Sequence, residues 1–227
     1  MSDANINTVA IIMDGNRRWA KERGLNPWDG HRKGAEILKE LLRWTKERGD
    51  VRNLFFYVFS TENWKRDSKE VEYLFNLVEE FFSSYLEEAL KENVRVRVAG
   101  QLTRFSEKLQ RIFSEVEEKT AGNTALTVWL GLSYGGRSEI IEAVNTAIQK
   151  GEPVTEESFK KMLWTADMPD PDIVLRVGGE RRLSNFLTWG SVYSELFFSD
   201  TLWPAFTKEE YFGVLDAYAE RERRMGK

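Results

Sequence analysis

The chain has 227 residues, a net charge of −4 at neutral pH, 41 % hydrophobic residues and 13 % aromatic residues. That is enough for one large domain around a buried core, and the acidic balance argues against a general nucleic-acid-binding face. There is no cysteine and a single histidine, which excludes disulfides, thiolate sites and imidazole-built zinc or iron centres; a metal here must be held by carboxylates, which points to magnesium or manganese.

Residues 8–13 (TVAIIM) form a short β-branched apolar run and predict a buried strand. Helical spacing of Ile37, Leu38, Leu41, Leu42 and Trp44 predicts a helix over 30–48. A second buried strand is predicted at 53–59 (NLFFYVF). Asp67 and Glu70 have the spacing of a capping box, opening a long helix to about residue 92. Residues 94–98 (VRVRV) alternate and predict a more exposed strand, followed by a helix over 102–120 and a strand at 126–132. Gly135 and Gly136 turn the chain into another helix, 155–163 reads as a short helix, and 172–177 as a strand. A helical turn at 185–189, a short strand at 194–198 and a final helix from the Thr207/Glu210 capping box to about Arg224 complete the pattern. Strands separated by helices predict an α/β fold: a single domain with a central, mostly parallel sheet of about six strands. No apolar run approaches the ~18 residues of a membrane span and no signal-peptide pattern opens the chain. The expectation is a cytoplasmic protein able to touch a membrane surface.

Ligands of such sheets sit beyond the carboxyl ends of the strands, and three strand ends carry polar loops. Asp14-Gly15-Asn16-Arg17-Arg18 offers backbone N–H groups and a guanidinium to an anion and a carboxylate to a bridging cation. Ser60 to Arg66 offers the Asn63 amide and a second cation. Arg176 with Gly178-Gly179-Glu180-Arg181-Arg182-Leu183-Ser184 has the parts of a phosphate cradle. There is no Walker A sequence, dinucleotide glycine motif or nucleophile elbow. The residues alone define an α/β enzyme for phosphate ligands.

These segments resemble the motifs of the cis-prenyltransferases. IIMDGNRRWAK (11–21), GHRKGA (30–35), FSTENWKR with Glu70, SYGGRSEI (133–140), LRVGGERRLSNF (175–186) and YSELFFSDTLWPAF (193–206) follow the family's order over almost the whole chain. The resemblance implies an enzyme that condenses isopentenyl diphosphate onto an allylic diphosphate. Asp14 would bind Mg2+ with the allylic diphosphate, and Glu195 would complete the metal site. Gly15, Asn16, Arg17 and Arg18, with Trp19, Arg23 and His31, would hold that diphosphate. Phe59, Ser60, Thr61, Glu62, Trp64, Arg66 and Glu70 would line or order the loop over the reacting ends, with Asn63 beside Asp14 as catalytic. Arg176, Arg182 and Ser184 would bind isopentenyl diphosphate. A homodimer and an apolar product tunnel between the second and fourth strands and the long helix are also implied.

The chain departs from the family pattern at Thr8, Arg17, Pro27 and Val177, where His, Gly, Arg and Thr or Ser are common. Val58, Trp129 and Leu132 stand where long-chain members carry smaller or more polar residues, which predicts a short or medium product. The alternatives are a long-chain undecaprenyl diphosphate synthase, a non-catalytic partner subunit and a phosphate-binding module. Retention of Asp14, Asn63, Arg176, Arg182 and Glu195 argues against the last two.

Overall fold

The structure, a computed structural model, describes residues 6–151 and 153–221. Its strands are β1 (Ile6–Met13), β2 (Val51–Ser60), β3 (Val94–Ala99), β4 (Leu126–Tyr134), β5 (Ile173–Val177) and β6 (Glu195–Ser199). Its helices are α1 (Asn16–Glu22), α2 (Pro27–Arg48), α3 (Ser68–Lys91), α4 (Glu107–Thr120), α5 (Gly136–Lys150), α6 (Glu156–Lys160) and α7 (Lys208–Ala219). Every strand pairing is parallel, in the order β3-β4-β2-β1-β5-β6. The chain leaves β1 toward β2 on one side and returns to β5 on the other. The crevice beyond the carboxyl ends of β1 and β5 is therefore the topological switch point, where ligands of such sheets bind.

Local chemistry accounts for the helix limits. Asn26 caps α2 in a capping box with Asp29, Pro27 takes its first turn, and Gly49 ends it at φ 79°. Ser106 caps α4 by accepting from the Leu109 N–H, so the predicted 102–120 helix is split: a 3-10 turn (Leu102–Arg104) precedes α4. The segment after Asp14, read as a tight loop, continues from its turn into α1. Helix α7 ends at Ala219, and the predicted end near Arg224 lies outside the described residues.

The sheet buries both faces. One packs under α2, α3, α4 and α7 around Leu41, Phe56, Phe82, Phe113 and Trp203. The other gathers Phe55, Trp129, Tyr134 and Phe186. Burying each such side chain contributes about 1.5–3 kcal/mol. Trp129, expected at the tunnel, is on this second face, with the Arg97 guanidinium 5.0 Å from its ring; strand alternation turns it away from its neighbours Leu130 and Leu132.

The bulge between β2 and β4 matters for the site. Tyr57 pairs with Gly131 and Phe59 with Leu132, so Val58 is an extra residue without a partner of its own. Such a bulge breaks the period of two, and Val58 and Phe59 both pack against the α2–α3 side.

Candidate active site

Asp14 is the first residue beyond β1. The register that sets Met13 opposite Val177 brings it beside Gly178. At φ 104°, Gly178 adopts a conformation that side chains resist, and a Cβ there would meet the Asp14 backbone at 2.8 Å. Arg176, whose side chain is only 4 % exposed, reaches Asp14 Oδ2 at 2.8 Å through Nη2. Its Nη1 donates to the Arg182 carbonyl and the Ser184 hydroxyl, each at 2.6 Å. Arg18 lies one helical turn after Asp14, 3.4 Å from Oδ1, and donates to the Gly178 carbonyl at 2.6 Å. A buried guanidinium needs an anion, and Asp14 supplies it while keeping about a third of its side chain exposed.

A second cluster centres on Glu70. Its sequence position suggested a capping box with Asp67, but Asp67 caps α3 alone, through the Lys69 N–H. The Glu70 carboxylate instead receives Arg66 at 2.8 Å and lies 3.4 Å from both Arg17 and His31. Three cationic or ionisable groups from α1, α2 and the 3-10 turn Thr61–Lys65 with its cap are more than a helix N-terminus can offer a carboxylate, so the ion pairs win. Burial first, then the neighbouring Arg66, lower the His31 pKa below its ordinary 6.5, against the opposing pull of Glu70.

The folded chain thus holds His31 neutral at a pH where the unfolded chain takes up a proton, so stability falls as pH drops through 6.5. This is the only histidine. Between about pH 7.5 and 5.5, the wild type is expected to lose more thermal stability than His31→Gln. Parallel melting-temperature curves for the two proteins would refute the assignment.

Asp14, Gly15, Asn16, Arg17, Arg18, His31 and Arg66 line one open cationic pocket, with Lys21 and Pro27 at its rim. Met13, Asn16 and His31 also line a second, apolar cavity between the sheet, α2 and α3, whose walls include Val58, Leu74, Phe81 and Leu132. Those three shared residues form a neck between a cationic head site and an apolar tail site. Two buried polar atoms at the neck, Asn16 Oδ1 and His31 Nε2, have no hydrogen-bond partner. Gly34 makes the approach possible, because a Cβ there would collide with Asn16 Oδ1 and reach Trp203 Cδ1 at 2.9 Å.

The remaining predicted residues divide. Phe59 is buried and packs edge-on to Trp64, whose indole N–H donates to the Ser133 hydroxyl at 2.8 Å. Asn63 Oδ1 accepts from the Ser60 N–H at 3.0 Å, and the Thr61 hydroxyl donates to Glu62. Arg182 is exposed and pairs with Glu180. Trp19 and Arg23 do not reach the pocket: the guanidinium stacks on the indole at 4.5 Å and donates to the Trp19 carbonyl. Nor does Glu195 approach Asp14 within one protomer. Glu195 pairs with Ile173 at the start of β6, whereas Asp14 follows the Met13–Val177–Ser199 row at the other end. Four residues at ~3.3 Å put about 13 Å of strand between the two rows, and Glu195 pairs with Arg221.

Of the pattern departures, Pro27 lines the pocket rim, and Thr8 is buried near the start of β1, away from it. Lys21 belonged to the basic run visible in the sequence. Tyr57, whose hydroxyl donates to the Tyr134 and Ser184 carbonyls at 3.3 and 3.4 Å, had no sequence signal beyond its place in a strand.

A parallel α/β sheet whose switch point joins an anion pocket to an apolar cavity defines an enzyme for amphiphilic phosphate substrates. The family model for undecaprenyl diphosphate synthase matches residues 12–226. An isoprenyl transferase of Thermotoga maritima is 45 % identical over 96 % of this chain and 95 % of its own, and one of Fusobacterium nucleatum is 44 % identical over 96 % and 94 %. The crystal structure of lavandulyl diphosphate synthase from Lavandula x intermedia, in complex with dimethylallyl diphosphate, superposes with a TM-score of 0.93 at 31 % identity, covering 98 % of this chain and 99 % of that one. The chain belongs to the undecaprenyl diphosphate synthase family of prenyltransferases and is a cis-prenyltransferase.

Proposed function

We propose that the enzyme condenses isopentenyl diphosphate onto an allylic diphosphate to give a short or medium Z-polyprenyl diphosphate. The observation that carries this reading is the shared wall: Met13, Asn16 and His31 line both a cationic pocket and an adjoining apolar cavity. That shape suits a molecule with a diphosphate head and a hydrocarbon tail. The lavandulyl diphosphate synthase, solved with dimethylallyl diphosphate, supports the same assignment.

In this reading Arg17, Arg18 and Arg66 hold the allylic diphosphate, and Arg176, Arg182 and Ser184 hold isopentenyl diphosphate. The C–O bond of the allylic substrate breaks and its electron pair leaves with the diphosphate. The double bond of isopentenyl diphosphate attacks the freed carbon, a C–C bond forms, and loss of a proton creates the new cis double bond. Guanidinium groups aimed at the departing oxygens stabilise the charge that develops, and holding both substrates in line supplies much of the rest. Asn63 carries no ionisable group, so its amide orients while a diphosphate oxygen takes the proton.

Mg2+ fits the donor set. It keeps most of its waters and binds through one or two carboxylates plus substrate phosphates, and Asp14 offers a partly exposed carboxylate in the anion pocket. When bound, the ion would neutralise phosphate charge on the leaving group. No cluster of three metal-ligating side chains exists among the described residues, which suits an ion held mainly by substrate and water.

A homodimer is the proposed assembly. The edge strand β6 and the residues before it expose Val192, Tyr193, Leu196 and Phe198, an unpaired apolar edge of the kind that a partner covers. Pairing of two β6 edges about a two-fold axis would run them antiparallel and carry each Glu195 toward the site end of the other sheet. Sedimentation velocity checks the assembly. Among the described residues no helix is long and apolar enough to cross a membrane, and a chain without cysteine acting on water-soluble diphosphates suits the cytoplasm.

The deciding experiment is incorporation of radiolabelled isopentenyl diphosphate with dimethylallyl, geranyl and farnesyl diphosphates, with Mg2+ or EDTA, followed by product sizing. The expected result is Mg2+-dependent incorporation giving products shorter than C55. No incorporation with any primer by folded protein would sink the reading.

A further inference from the structure

Three non-glycine residues of one short loop occupy the left-handed region: Ser184 at φ 50°, Asn185 at 65° and Leu187 at 43°. Asn tolerates this region, while Ser and Leu resist it. Such a loop keeps its shape only where its surroundings impose it. The imposing contacts centre on Asn185. Its carbonyl accepts from the Gly136 N–H at 2.7 Å and its Oδ1 from the Arg137 N–H at 2.8 Å, which stitches the loop to the start of α5. Its Nδ2 donates to Glu62 Oε1 at 2.9 Å, across a sequence separation of 123 residues. Glu62 belongs to the same 3-10 turn as Asn63. Gly135 leaves room for the junction, since a Cβ there would meet Thr61 Oγ1 at 2.5 Å and Asn185 Nδ2 at 2.7 Å.

We propose that Asn185 is a positioning residue: through Glu62 its amide latches the loop bearing Arg182 and Ser184 to the turn bearing Asn63, so that isopentenyl diphosphate binding and the alignment of the reacting ends are set together. This rests on the reading of that loop as the isopentenyl diphosphate site. Asn185 acts through its neighbours. Ser184 accepts from Arg176, and Arg176 in turn holds Asp14, so a shift of the loop moves a hydroxyl, a guanidinium and the metal-binding carboxylate in concert.

Asn185→Asp tests the latch with little change of shape. It keeps the Oδ1 acceptor for Arg137, removes the donor, and sets a carboxylate against Glu62. Adding Glu62→Gln to the same chain restores a donor from the opposite side. Two readouts on the full chain are needed. In hydrogen exchange without substrates, Asn185→Asp is expected to accelerate exchange in both 183–188 and 60–66, and the double variant to reverse it. In steady-state kinetics, the single variant is expected to raise the KM for isopentenyl diphosphate about tenfold with a smaller change in kcat, and the double variant to recover most of it. Faster exchange confined to 183–188 overturns the latch, as does parallel loss of activity and melting temperature without rescue. Arg182→Ala, measured alongside, separates the underlying reading: if it leaves the KM for isopentenyl diphosphate unchanged, the loop's assignment fails whatever the exchange data show.

Discussion

Asp14→Asn is expected to lower the rate of prenyl transfer by about 10²–10³-fold, the cost of removing one group that stabilises charge in the transition state. The substitution keeps size and an acceptor oxygen and removes only the negative charge. That charge has two roles. In the proposed function it would hold the metal ion, and in the structure it balances Arg176, which is 4 % exposed and holds Asp14 at 2.8 Å. The second role predicts a stability effect that can be separated from the first. Complete removal of one partner from a buried pair costs roughly 3–5 kcal/mol, but Asp14 is partly exposed and Asn still accepts a hydrogen bond. The loss should be about 1–2 kcal/mol, or a fall in melting temperature of ~2–8 °C for a domain of this size. Rate, melting temperature and Mg2+ dependence should be measured together. A rate within fivefold of wild type at saturating Mg2+ would remove Asp14 from the catalytic centre.

What could be read from the sequence divides along the range of the interactions. The strands at 8–13, 53–59 and 126–132 were legible because β-branched and aromatic runs between turn residues have few other fates. Sheet order was not legible, because the pairing of β1 with β5 depends on packing across some 160 residues. The same limit applies to the site. Asp14 and Arg176 could be suspected separately, each from its own loop, yet their ion pair spans 162 positions. Glu70 shows local spacing overruled by tertiary charge: the capping pattern with Asp67 was present, but Arg66, Arg17 and His31 claim its carboxylate. Glu195 shows what residue type alone leaves out: the parallel register of β6 places it at the far end of its own sheet from Asp14, so its proposed metal role rests on a second copy of the chain. Trp19 lies within the first motif and Arg23 two residues beyond it, but the two stack on each other at the end of α1. Asn185 carried no composition signal; its left-handed backbone and its bond to Glu62 exist only in the folded chain.

The tunnel wall supplies the other large expected effect. Leu132 is fully buried, and Val58 stands beside Phe59 on the cavity side only because the β2 bulge adds a residue there. A packed interior has little slack, so on the proposed function the side chains at these two positions would limit how far a growing hydrocarbon can extend. Val58→Ala and Leu132→Ala are each expected to move the product distribution toward longer chains, and the double variant further than either. Leu132→Ala carries a stability cost of about 2–5 kcal/mol for a buried Leu. The low end applies here, because Leu132 already borders a cavity and its removal enlarges an existing space. Trp129→Ala is the control: it lies on the opposite face against Arg97, so it should destabilise the protein by about 3–5 kcal/mol and leave product length where it was. Product sizing by thin-layer chromatography after phosphatase treatment distinguishes the cases. An unchanged ladder in the double variant would mean that another wall, with Phe81 and Phe82 at the α3 side as the next residues to test, sets the length.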